Sequence, residues 1–441
     1  MCENSGEESE KMLKEVLPTL LTSGITSTVN EVRSISLQTV SKLCRSGGAM
    51  VKPHLGTLIP ALLEALSGLE SQALSYTSVR LNEDDREKLD IARVAAARST
   101  PMMDTLNYVL QYVDVDAMEN LIGGLIDVLR SSIGLASRAG AAHVVETLTH
   151  TCPACLEKYT GKLLAALVNG LSDRNPVVRK LYANAIGNLV KTAKTSSIEK
   201  LLTKLQSWYL EKEEDSIRIS AALTIRSMHS QHSDIMKQHA SQAMPLAFLG
   251  MHAEKTADND PSGAAIWEEI WSDNTPGTES AVKLYLTEII NICEQALQSN
   301  NWSMKAQTGR ALSTVSQKLG SSMNDALVIS LVTLLINSLQ GRTWEGKESL
   351  VTALSNVAVA TKSVLATLKH PDRDELLIEE VVKVLTREAS KEKMAYKIHA
   401  IKALTTVLDT FQIDRFEQVF DICLPYLRHV SNFHSCYIFM F

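Results

Sequence analysis

Seven cations in this chain are each followed by the same spacing of apolar residues. Arg33 has Val40 at +7 and Leu43 at +10. Arg138 has Val145 and Leu148, Arg179 has Ile186 and Leu189, and Arg218 has Ile225 and Met228. Lys305 has Leu312 and Val315, Lys347 has Leu354 and Val357, and Lys397 has Leu404 and Val407. Small residues recur at +3 or +4: Ser36, Ala141, Ala142, Ala183, Ala221, Ala222, Gly309 and Ala400. Positions +3/+4, +7 and +10 lie on one face of an α-helix. The small residues let a neighbouring helix come close.

From Arg138 on, the anchors are spaced by 41, 39, 87, 42 and 50 residues. The 87-residue gap is two steps and places a degenerate unit near Asp260, with Trp267 at +7 and Ile270 at +10. Another amphipathic segment precedes each anchored helix, as in CLEKYTGKLLAALVNGLSD, SIEKLLTKLQSWYLE and DELLIEEVVKVLTREA. Several of these first helices carry an internal proline: Pro18, Pro60, Pro245 and Pro425. Proline there removes a ladder hydrogen bond and bends the helix. Two helices per unit with a period of ~40–47 residues is the HEAT/armadillo pattern. The prolyl bend favours HEAT. The expected fold is all-α, a HEAT-repeat α-solenoid of about ten helical hairpins.

One stretch competes with that reading. Gly341-Arg342-Thr343-Trp344-Glu345-Gly346-Lys347 has the G-x-x-x-x-G-K spacing of a phosphate-binding loop. Such a loop needs Ser or Thr next, to help hold Mg²⁺, and a buried strand before it. Here Glu348 follows, and the apolar run before the loop is longer than a typical strand. Lys347 is itself a repeat anchor, so the stretch reads as the turn between two helices of a repeat, with Gly341 capping the first. The anchor cations are expected to form a ladder along the turns, structural or partner-facing, pairing with acids such as Glu31, Asp173 and Asp215.

The chain has 441 residues, with only 20 Gly and 11 Pro, which argues against many-turned all-β folds and against disorder. The net charge of −6, with scattered Lys and Arg, disfavours nonspecific nucleic-acid binding. Seven widely spread cysteines read as free thiols in a reducing compartment. The polar, acidic start MCENSGEESEKML is not a signal peptide. No apolar run reaches the ~18–20 residues that a membrane span requires.

The expected organisation is an acidic disordered N-terminus over 1–10, then HEAT repeats over 11–231. A degenerate repeat with a long loop follows over 232–277, then HEAT repeats over 278–430, the last incomplete, and an atypical tail over 431–441. Flexible loops are expected over 71–88 and 252–261. Because SNFHSCYIFMF has neither the anchor pattern nor a polar capping face, the solenoid is expected to be cut short at its C-terminal end.

Chemistry-bearing groups are few. Cys152-Pro153-Ala154-Cys155 is a CxxC without a second CxxC, expected in an inter-repeat turn. His229, His232, His239 and His252 cluster without an acid or cysteine at metal-ligand spacing. Glu83-Asp84-Asp85 and the run from Glu211 to Asp215 read as solvated turns. Trp267 and Trp271, at i and i+4, are either candidate partner contacts or fillers of a core widened by the irregular repeat. No nucleophile motif appears. No catalytic residue, cofactor or metal is expected.

The runs SDRNPVVRKLYANAIGNLVKTAK, NNWSMKAQTGRALSTVSQKLG, LQGRTWEGKESLVTAL and EASKEKMAYKIHAIKALTTVLDTF closely resemble the C-terminal part of the proteasome adaptor and scaffold family. These are very large HEAT-repeat proteins associated with the 26S proteasome. The resemblance extends to about Arg428 and departs after Val430. It implies a non-catalytic scaffold whose protein partners are 26S proteasome subunits, with vesicle or motor proteins as further partners. It also implies cytoplasmic and nuclear location, with peripheral association at endosomes or endoplasmic reticulum. Two other HEAT scaffolds fit the repeat pattern: an importin-β-like transport receptor and a phosphatase scaffold. A nucleotide-dependent enzyme would need the Gly341–Lys347 loop to bind ATP.

Overall fold

The computed structural model describes residues 6–69, 76, 78, 80–131, 134–254, 263–275, 278–369 and 375–430. The chain divides into two compact units. Unit 1 is Met1–Tyr209 with Glu214–His239, and unit 2 is Leu210–Glu213 with Ala240–Phe441. Among the described residues the structure is helical, and the single β feature is an isolated bridge between Lys369 and Leu376.

In unit 1, successive hairpins pair Gly6–Thr19 with Asn30–Gly47, Leu55–Leu66 with Pro101–Leu110, and Val115–Arg130 with Leu135–Thr151. Thr160–Gly170 pairs with Pro176–Leu189, and Thr195–Glu211 precedes Asp215–Gln231. In unit 2 the pairs are Ala240–Gly250 with Gly263–Asn274, Leu286–Gln298 with Trp302–Leu319, and Asp325–Ser338 with Glu348–Ala360. Leu377–Ala389 then pairs with Met394–Phe411, and Phe416–Val430 follows. Short polar side chains cap several starts: Asp114, Asn175, Asn301 and Asn324 each accept a backbone N–H from the first turn.

The repeat spacing translates into burial. All seven +7 residues are buried, and so is every +10 residue except Leu43. The small residues do what their size permits. A Cβ on Gly309 would stand 2.8 Å from the Ser349 backbone of the next repeat's second helix. Two first helices end in a glycine that seats an aromatic ring: Gly170 lies against Tyr182, and Gly250 against Trp267. A methyl at either place would overlap the ring. Pro18, Pro60, Pro245 and Pro425 all lie inside helices, and Pro18 is followed by a π-helical turn over Leu20–Gly24.

Several expectations need correction. The first helix starts at Gly6, so residues 6–10 are helical rather than disordered, and Glu10 pairs with Lys14 one turn on, 2.8 Å away. Residues 1–5 and 431–441, Asp260, most of 71–82 within the loop expected over 71–88, and most of the loop expected over 252–261 lie outside the described residues. The stretch Glu83–Lys88 is no loop. It begins a helix over Glu83–Arg98, because the Asn82 side chain accepts the Asp85 N–H and the three acids fill the positive first turn.

This inserted helix packs on Leu135–Thr151 and Pro176–Leu189, across the second helices of later repeats. Only Asp90 and Val94 are buried in it. Asp90 pairs with Arg93 at 2.8 Å and accepts from Asn175 Nδ2 at 2.7 Å, while Glu87 pairs with Lys180.

Nor are all the cysteines free. Cys152 caps the one-turn helix Pro153–Leu156, which brings its Cα to 5.5 Å from that of Cys155, and the two form a disulfide. Cys44 and Cys293 are buried thiols, each pushed up to about 12 by burial.

Candidate interaction surface

Within each unit the anchor cations sit where the second helix of an anchored repeat begins. Their chemistry differs from repeat to repeat. Arg33 donates to Asn30 Oδ1. Arg138 pairs with Asp173 of the following repeat's turn. Asp173 Oδ1 also accepts the Asn175 N–H at 2.8 Å, and its carbonyl accepts from Arg179 Nη1 at 2.8 Å. Burial lowers the Arg179 pKa against the opposing pull of Asp173 and Glu87. Arg218 lies 3.8 Å from Asp215 and 5.9 Å from the Tyr209 ring centroid. Lys305 stands over the Trp302 ring, and Lys397 is buried. The cations therefore form linked inter-repeat contacts in places, not one uniform ladder.

Lys347 is the extreme case. It is 0% exposed, and its Nζ donates to Glu388 Oε2 at 2.9 Å. Glu388, also fully buried, accepts from Tyr396 Oη at 2.8 Å and from Arg387 Nε at 3.1 Å. Burial raises the Glu388 pKa, but the hydrogen bonds from Lys347, Tyr396 and Arg387 outweigh it and hold the carboxyl below its ordinary value. Burial and the Glu388 carboxylate both push the Tyr396 phenol up.

This geometry answers the phosphate-loop question. A phosphate loop presents free backbone N–H groups and a free Lys to the anion. Here the Lys347 charge is spent on Glu388, and the Glu348 carboxylate accepts the Gly346 N–H at 3.1 Å, in the place of a phosphate oxygen. The first helix ends at Ser338 with Leu339 as its cap, so Gly341 lies two residues beyond the cap. Gly341 and Gly346 take φ of +86° and +98°, which only glycine adopts without strain.

Trp267 and Trp271 are not partner contacts. They are 1% and 2% exposed. Trp267 packs on Gly250, and Trp271 lies 5.1 Å from Phe248 and 6.4 Å from Tyr285, ring centroid to centroid. The exposed tryptophan is Trp302, at 53%, stacked on Trp344 with centroids 5.0 Å apart. Both lie three residues before an anchor, Lys305 and Lys347, in successive repeats. Aligning the repeats on the anchors, rather than looking for neighbouring tryptophans, would have found the pair.

The histidines hold no metal cluster among the described residues. His252 bonds Phe248 O and Thr314 Oγ1, at 2.7 and 2.8 Å, and His232 bonds Asn188 O. No described helix is long and apolar enough to cross a membrane.

Two family models match the sequence. Residues 51–210 match the HEAT-repeat domain of the proteasome adapter and scaffold protein ECM29, and residues 369–433 match the C-terminal ARM-like repeats of ECM29. The chain belongs to the ECM29 family. It is 42% identical over 98% of its length to the human proteasome adapter and scaffold protein ECM29. It is 34% identical over 95% to the Drosophila melanogaster proteasome-associated protein ECM29 homolog. Against the Saccharomyces cerevisiae proteasome component ECM29 it is 26% identical over 88%.

The chain spans 23%, 21% and 20% of these relatives' lengths. A solved importin-β structure covers 98% of this chain and 52% of its own, at 14% identity and a TM-score of 0.35, a likeness too weak to bear on function. The ECM29 models cover the Arg138–Asp173 pair and Arg179 at one end, and Glu388, Tyr396 and Lys397 at the other.

Proposed function

We propose that this chain is a non-catalytic scaffold segment that binds the 26S proteasome through its repeat turns. The observation that carries the reading is the 42% identity over nearly the whole chain to a protein named a proteasome adapter and scaffold. The site chemistry agrees with it. The loop most like a catalytic motif is consumed by internal pairing at Lys347 and Glu388, and the two buried thiols are held protonated. Stacked helical hairpins instead offer rows of turns as binding surface. The same family membership supports a cytoplasmic and nuclear protein that associates peripherally with endosomes or endoplasmic reticulum.

Co-sedimentation of the purified chain with purified 26S proteasome, with and without ATP, tests the central claim. Binding that is lost on charge reversal at the turns is the expected result. A folded, helical chain that stays in the supernatant would overturn it for this segment.

A further inference from the structure

The turn edge of unit 2 carries an aromatic platform inside a basic field. Trp302 opens its helix directly after the Asn301 cap, and Trp344 lies in the turn one repeat on. The two indoles stack with 28° between their planes, and Lys305 Nζ stands 5.1 Å from the Trp302 ring centroid. The turn bearing Trp344 is tightly held. Gly341 and Gly346 set its left-handed corners, Lys347 ties it to Glu388, and Lys391 Nζ donates to Gly341 O at 3.3 Å. A ring fixed this way loses little freedom when something packs on it, yet half of Trp302 faces solvent.

The charge around it runs against the acidic chain. Arg342 lies on the Trp344 turn, and the bonds from Lys391 to Gly341 O and from Arg387 to Leu339 O bring the turn of Lys391 and Lys393 beside it, against exposed Glu345 and Glu392. Arg342 and Lys393 have no carboxylate partner among the described residues.

We propose that the Trp302–Trp344 stack and its flanking cations form a docking site for an acidic segment of a protein partner. A bulky aliphatic side chain of that segment packs against the solvent-facing edge of Trp302, which needs no open ring face, and its carboxylates reach Arg342 and Lys393. Tryptophan and arginine are the residues that carry hot spots, and carboxylates on guanidinium give strong, oriented bonds. Single-stranded nucleic acid also favours aromatics among cations, but it needs an open ring face. Here the Trp302 ring already stacks on Trp344 and carries Lys305, and two carboxylates interrupt the basic edge. The site stands whether or not the partner is the proteasome.

The test is fluorescence anisotropy on the whole chain. The probe is a fluorescein-labelled peptide of Asp and Glu around one central Leu. Controls replace the Leu with Ser, or every acid with Lys, and an oligouridine serves as competitor. The expected result is binding of the acidic Leu peptide alone, weakened at least about tenfold in both Trp302→Ala and Arg342→Glu chains that keep wild-type helicity. No binding at about millimolar peptide, the weak end of specific recognition, overturns the proposal. So does wild-type affinity in the two variants, or displacement of the peptide by oligouridine at lower concentration than by unlabelled peptide.

Discussion

Two tryptophan pairs lie in unit 2 and do opposite things. Trp267 and Trp271, four residues apart on one helix, are sealed in the core over Gly250 and Phe248. Trp302 and Trp344, in successive repeats, meet at the surface. Neighbours at i and i+4 on a helix face the same way, and in a helical hairpin that way is usually inward. Residues at matching repeat positions are instead brought side by side by stacking, wherever on the repeat they happen to lie. Here they lie at the turn, and the result is a surface feature that no single helix could make.

The largest expected effect is on the buried pair. Trp267→Ala should lower stability by about 3–5 kcal/mol, the cost of emptying a large aromatic site. Chemical denaturation measures it, and a loss under about 1 kcal/mol would mean the ring is not seated on Gly250 as described.

Lys347, which fixes the turn under the exposed pair, comes next. Lys347→Ala removes the one fully buried cation from Glu388, leaving it only Arg387 and Tyr396, and should cost about 3 kcal/mol. Replacing both, as Lys347→Met with Glu388→Leu, should recover most of that loss. The pH dependence has a definite sign. The folded-state pKa of Glu388 is lowered, so its contribution is present above the ordinary carboxylate range and is lost as pH falls through the folded value. An acid-unfolding curve of Glu388→Leu, Lys347→Met that matches the wild type would contradict this.

In unit 1 the corresponding forward contact is partly solvated, and Asp173→Ala should cost only about 1–2 kcal/mol. A loss as large as that for Lys347 would erase the distinction between the two turns. Smallest of all, Trp302→Ala should change stability by no more than about 0.5 kcal/mol. A larger loss would show that the stack belongs to the fold rather than to the surface.

The architecture was legible because burial follows a strict rule. The +7 residues are all buried, as are the +10 residues except Leu43, so one pattern located every anchored helix. The site was less legible. Lys347 reads like Arg138 until Glu388, 41 residues away on the next repeat's first helix, is seen to bury it. The orientation of Trp267 depends on a missing Cβ at Gly250, in another helix. The Glu83–Arg98 helix has only Asp90 and Val94 buried, too few to print an apolar period on its sequence. Its helicity comes from a cap and a charged first turn, which read equally well as a loop.

That inserted helix also changes how the chain must fold. Stacked repeats touch only their neighbours, so each can form on the one before with short loops to close. The bond from Asn175 to Asp90 spans 85 residues, and the pair of Lys180 with Glu87 spans 93. The helix gains those partners only once two later repeats exist. Fraying at Pro176–Leu189 therefore strips a segment encoded before repeat three of its Asn175 and Lys180 partners, and unit 1 lacks the end-to-end independence that a plain repeat array would have.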